Sequence, residues 1–407
     1  MQSMWTDWKH CRICCNKREN RMRILFAGSK KQQIAGIVYD LGRMGHEIAV
    51  YPKPLELVYG IEKEEKALGE FLKNSRVDLA ISTIFSVVMA EQTHKLGIKY
   101  VVYGMDSPMY ATYLPVTPHY DNCYLFYFDY REYQMVRKMG YTNAYYLSLA
   151  GDIKSAEDLV ITDEEIEKYR CNISFVGSLY SENIYDEHID KIPEDIQQTL
   201  SEMMEQSAFI WDGRDRIGEL LTPELTRTIK CVCPEIYNRQ YEMPDEYYLK
   251  TYFLERKMTH IERTCLMQLL AEQYDIHLYT WENQRVPNGI RRFPAMHSQE
   301  EALKVFYSSK ININITLRSI ESGIPARVFD IMSVGGFLIS NYQEEIPELF
   351  EVDKEIVTFK TPEELFDKID YYLAHDEERV RIGINGYRKV KQCYTYEHQL
   401  NKILSVL

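Results

Sequence analysis

From Met22 onward, short apolar runs alternate with stretches of helical spacing. Arg23–Ala27 is one such run ending at Gly28, and Ile34–Met44 then places apolar residues at helical intervals up to Gly45. The same alternation predicts strands at Glu47–Tyr51, Val77–Ser82, Lys99–Tyr103, Asn122–Phe128 and Ala144–Leu149. Helices are predicted at Glu62–Asn74, Val87–Leu96 and Tyr130–Met139. The pattern lapses into polar, acidic sequence over Ala150–Arg170, which reads as a linker, and restarts with a strand at Asn172–Gly177. Residues 185–275 read as a charged helical elaboration. Strands at Ile276–Thr280, Lys310–Ile315, Gly336–Ser340 and Ile356–Phe359 then alternate with helices at Ser298–Tyr307 and Pro325–Val334, and helices follow from Pro362. Apolar strands separated by helices predict α/β architecture with parallel sheets covered on both faces. The expectation is two doubly wound, Rossmann-like domains, 22–150 and 171–384, facing each other across a cleft.

Composition narrows the function classes. The chain has 407 residues, 45% apolar and 27% charged, enough for two packed cores. Its net charge of −13 shows no basic surplus, which argues against a nucleic-acid partner. Nine cysteines in no regular framework suit reduced thiols and a cytoplasmic location. No apolar window is long enough to span a membrane. Residues 1–21, with Trp5, Trp8, Cys11, Cys14 and Cys15, differ in character from the rest of the chain. Cys11-x-x-Cys14 is half a zinc site without a matching second pair, so these residues read as a loose tail and no metal is expected. The 32 tyrosines include rings that could stack on sugar faces, though most such residues are half-buried structural ones.

In open α/β sheets ligands bind beyond the carboxyl ends of the strands. In the first domain those ends carry Gly28-Ser29-Lys30-Lys31-Gln32-Gln33, Ser82-Thr83, Asp106-Ser107-Pro108 and Asp129. Gly28, Lys30 and Gln32 form a candidate acceptor or phosphate loop, although it matches neither the dinucleotide nor the P-loop pattern. Asp106 is either a turn residue before Ser-Pro or a general base. Asp129 followed by Glu132 reads as an N-cap with a capping-box acid. The most informative stretch runs from Arg318 to Gly336. Ser322 and Gly323 precede Pro325 and a helix whose inward arc is Val328, Phe329, Ile331 and Met332. Arg327 and Asp330 lie together on its other side: a cation beside a helix N-terminus suits phosphate, and a carboxylate one turn in suits sugar hydroxyls. The alternative is an ordinary surface ion pair.

The run Gly323-Ile-Pro-Ala-Arg-Val-Phe-Asp-Ile-Met-Ser-Val-Gly-Gly-Phe-Leu-Ile-Ser-Asn-Tyr342 resembles the C-terminal domain of bacterial CgeB-like glycosyltransferases, named after a spore-maturation protein. Phe175–Tyr180, Tyr146–Ala150, Asp106–Pro108 and Tyr394–His398 resemble that family in the same order. The resemblance implies a GT-B fold, a nucleoside-diphosphate sugar held by the second domain, and a glycan or protein acceptor at the first. It implies that helices after Asn385 cross back to the first domain. It also implies donor contacts from Asp330, Glu321, Ser322, Gly323, Arg318, Gly177, Ser178, Tyr180 and Met296, with Arg327 on the departing diphosphate. Asp106 would be the base if the enzyme inverts. No Asp-x-Asp occurs, in keeping with metal-independent transfer without a cofactor. The rival readings are a non-catalytic scaffold of the same fold and a nucleotide-sugar epimerase. Oligomeric state is not legible.

Overall fold

Ile24, Leu25, Phe26 and Ala27 have no exposed surface in the computed structural model, because β1 (Arg23–Ala27) lies inside a parallel sheet with helices on both faces. The structure describes residues 21–28, 31–55, 58, 60–115, 117, 120–237, 241–281, 285–296 and 298–407, the side chains of 31–34 excepted. Lys30 and the Cys11–Cys15 cluster lie outside this set.

The first sheet adds β2 (Glu47–Val50), β3 (Leu79–Ser82), β4 (Lys99–Tyr103), β5 (Cys123–Tyr127) and β6 (Ala144–Tyr146) in the order β2-β1-β3-β4-β5-β6. The second contains β7 (Cys171–Val176), β8 (Ile276–Thr280), β9 (Arg291–Pro294), β10 (Ser309–Asn314), β11 (Leu338–Asn341) and β12 (Val357–Phe359) in the order β12-β11-β10-β7-β8-β9. Every neighbouring pair is parallel. Strand order reverses between β1 and β3 and between β7 and β10, and a crevice opens at each reversal.

The polar stretch after Ala150 contains two short helices, Ile153–Glu157 and Asp163–Tyr169. Helix Asp376–Cys393 runs through residue 385 without a break, and Tyr396–Ser405 packs on Lys31–Arg43. One apolar cluster consequently joins the two units: Ile24 and Tyr103 from the first sheet, Leu338 from the second, Phe306 and Phe329 from helices of the second unit, Leu400 and Ile403 from the last helix. Among the described residues no helix is long and apolar enough to cross a membrane.

The helical elaboration ends in a continuous rod. Asp245–Tyr248 passes through a six-residue π-helical segment, Leu249–Leu254, into Glu255–Gln273. A wide turn of this kind shifts the register of every later side chain. It buries Lys250, whose ammonium pairs with Asp215 at 2.7 Å and with Glu321, so the nearby carboxylates hold it charged. Lys250→Met should destabilise the fold by about 3–5 kcal/mol, because the carboxylates stay buried without a cation. A melting temperature unchanged from the parent would refute this.

Candidate active site

A cleft of about 670 Å³ lies between the two sheets and uses both reversal points. Its walls include Thr83–Phe85 beyond β3, the Met105–Ala111 segment beyond β4, and the loops leaving β7 and β10. A recess of about 210 Å³ adjoins it, sharing Gly177 and Arg327, and is lined by Met296, Asp330, Tyr279 and Trp281. Among the described residues the hydroxyls of Tyr279 and Thr280, two residues that line that recess, are buried without a hydrogen-bond partner.

Helix Ala326–Ser333 buries Val328, Phe329, Ile331 and Met332, the arc expected from the sequence. Pro325 occupies the N-cap rather than the first turn, and among the described residues no side chain caps the helix. Its positive end is therefore left to the cleft. Arg327 and Asp330 are half-buried, neither of them a surface residue. Burial lowers the Arg327 pKa while Asp330 pulls it back up. Burial pushes Asp330 up to about 6, against the pull of Arg327. Among the described residues the Arg327 guanidinium makes no hydrogen bond, and Phe306 supplies a ring 5.1 Å away.

The structure brings Asp106, Gly177, Ser178, Tyr180, Met296, Arg327 and Asp330 together along this continuous space. Asp106 is exposed on the cleft wall, and Tyr180 holds a left-handed backbone (φ 54°) unusual for a bulky residue.

Other expected donor contacts are placed differently. Arg318 is tied to buried Glu262 and lies over the Trp211 ring at 5.1 Å, so its charge is already matched. Glu321 pairs with Lys250 and faces a separate void of about 40 Å³. The Ser322 hydroxyl lies 2.9 Å from Asp129 and 2.8 Å from Glu345. A Cβ on Gly323 would come within 2.9 Å of the Phe128 carbonyl, so this glycine allows close packing on the first unit. Thus 321–323 join the two units instead of lining the cleft. Gly28 follows β1 but is not among the described residues lining either space, and Gln32 is described only as backbone in helix Lys31–Arg43. Glu132 also departs from expectation. Asp129 caps the helix as predicted, but Glu132 turns inward to accept from Ser107 Oγ (2.7 Å), Met109 N–H (2.7 Å) and Tyr113 OH (3.0 Å), which fixes the loop carrying Asp106.

Two cleft arginines are not legible from the sequence because they arise in the helical elaboration. Arg263 is buried, donates to the Ser178 carbonyl at 2.6 Å and to the Ile315 carbonyl, and lies 5.3 Å from the Tyr180 ring. It therefore holds the loop after β7 against the end of β10. Arg256 lies against Tyr252 (4.6 Å) and Tyr110 (5.9 Å). A helical charge pattern alone cannot distinguish such residues from a solvated face.

The model of a family described as glycosyl transferase-like matches residues 256–405, and no curated protein matches the chain. Sucrose-phosphate synthase from Thermosynechococcus elongatus superposes with a TM-score of 0.51 at 8% identity, covering 95% of this chain and 98% of that one. An alpha-glucosyltransferase in complex with UDP gives a TM-score of 0.51 at 12% identity, covering 95% and 99%. The fold is GT-B.

Proposed function

We propose that the protein is a glycosyltransferase moving a sugar from a nucleoside-diphosphate donor to a hydroxyl acceptor. The observation that carries this reading is the uncapped helix Ala326–Ser333, which aims its positive end, Arg327 and Asp330 into a cleft built on the strand ends of both sheets. The UDP in the similar alpha-glucosyltransferase and the glycosyl transferase-like match support the same chemistry. Arg327 and the helix end would offset charge growing on the departing diphosphate, without a metal. Asp330 would accept hydrogen bonds from the ribose hydroxyls, with the base in the recess beside Met296 and Trp281. Asp106 would take the acceptor proton in an inverting reaction. The CgeB-like resemblance extends the proposal to a cytoplasmic enzyme of surface or spore glycan synthesis.

The test is titration with UDP, GDP, dTDP and CMP. One nucleotide should bind, and Asp330→Ala should weaken it about 10- to 100-fold, since hydrogen bonds to a charged group are worth about 1.5–3 kcal/mol. Binding should also weaken as pH falls through about 6, where Asp330 takes up its proton. Absence of binding by every nucleotide at millimolar concentration would favour the scaffold reading.

A further inference from the structure

The cleft contains a cation that the donor reading leaves unused. Arg263 is held by two backbone carbonyls, and Arg327 has Asp330. Arg256 has neither kind of partner. Among the described residues its guanidinium makes no hydrogen bond and no carboxylate lies within 4 Å, while its Nε is buried and unsatisfied. It is not loose, since it lies against the edge-to-face Tyr252–Tyr110 pair just after the π-helical segment that sets its register. Among the described residues lining the cleft, three guanidiniums, of Arg256, Arg263 and Arg327, stand against one carboxylate, that of Asp106. This reverses the sign of a chain whose net charge is −13. A preorganised cation with an unmet donor points to an anionic ligand group.

Position decides which ligand this is. The recess carrying Asp330 and Met296 is lined by Arg327 and not by Arg256. Arg256 instead shares the main cleft with Tyr110, which comes from the first unit, and Tyr241. Tyr241 opens onto a further pocket of about 390 Å³ walled by Tyr237 and Tyr248. The Tyr110 and Tyr241 rings are 6.1 Å apart, and among the described residues the Tyr237 hydroxyl is buried without a partner. Aromatic faces beside a cation suit a pyranose ring carrying a negative group.

We infer that the acceptor is an anionic carbohydrate, whose carboxylate or phosphate is recognised by Arg256 on the tyrosine-lined wall away from the nucleotide. This rests on the glycosyltransferase reading. The test uses the full chain, with UDP titrated by calorimetry and methyl glucoside, methyl glucuronide and glucose 6-phosphate followed by ligand-observed NMR. Methyl glucuronide or glucose 6-phosphate should bind about 10- to 100-fold more tightly than methyl glucoside, and whichever does identifies the anion as carboxylate or phosphate. Arg256→Gln should remove that preference while leaving the UDP affinity unchanged. Equal binding of all three sugars, or an anion preference that survives in Arg256→Gln, would overturn the inference alone. Loss of UDP affinity in Arg256→Gln matching that in Arg327→Gln would also overturn it, by making Arg256 a donor residue. Failure of UDP and every other nucleotide to bind the parent protein would overturn both readings.

Discussion

Arg327→Gln should lower kcat for sugar transfer by about 10²- to 10³-fold, while the melting temperature stays within a few degrees of the parent. The size follows from what a preorganised donor contributes when charge develops in a site sheltered from water, about 2.7–4 kcal/mol. The separation of activity from stability follows from the environment of Arg327. Among the described residues it makes no hydrogen bond, so the fold loses little beyond its ring contact with Phe306 and its attraction to Asp330. Gln keeps the aliphatic stem and a hydrogen-bond donor but not the charge. Donor KM should rise less than kcat falls, because the diphosphate gains charge as the glycosidic bond breaks. Rate measurements at saturating donor, paired with thermal melts, decide the matter. Unchanged turnover would remove Arg327 from the chemistry.

Helix Ala326–Ser333 was legible because periodicity and chemistry coincide there: its apolar arc buries, and the polar arc left over is Arg327 and Asp330. Strand positions were legible for a similar reason, since strands covered on both faces must be apolar throughout, as Ile24–Ala27 and Tyr100–Tyr103 are. Contacts between distant segments were not. Arg318 and Glu321 stand at a strand end and look available for a ligand, yet Glu262 and Lys250, many residues away, neutralise them. Glu132 has the spacing of a capping box, but local spacing cannot anticipate Ser107 and Tyr113 as stronger competitors. Arg256 and Arg263 lie in a charged helix whose inward face is set partly by a π-helical segment, and regular periodicity carries no trace of one.

The junction between the units should make stability fall as pH rises from about 5 to 9, and Glu345→Gln should flatten that slope. Ser322 Oγ is 2.9 Å from an Asp129 oxygen and 2.8 Å from a Glu345 oxygen, yet a hydroxyl has one proton to give. One contact therefore needs a proton from a carboxyl group. Asp129 already accepts the backbone N–H groups of Arg131, Glu132 and Glu321. Glu345 is fully buried, and burial followed by repulsion from Asp129 pushes it up to about 8. Burial pushes Glu132, which shares Ser107 with Asp129, up to about 8 as well. An acid whose pKa is raised on folding binds more protons folded than unfolded. Its contribution is complete below the unfolded value of 4.5 and disappears as pH rises through 8. At about 1.4 kcal/mol per pH unit, Glu345 alone can account for several kcal/mol across that window. In Glu345→Gln the amide can donate to the Tyr146 hydroxyl, which now lies 2.6 Å from Glu345 Oε2, while its oxygen keeps the Tyr130 N–H. The variant should therefore melt slightly below the parent at pH 5 and above it at pH 9. Parallel melting curves from pH 5 to 9 would show that Glu345 does not carry the proton.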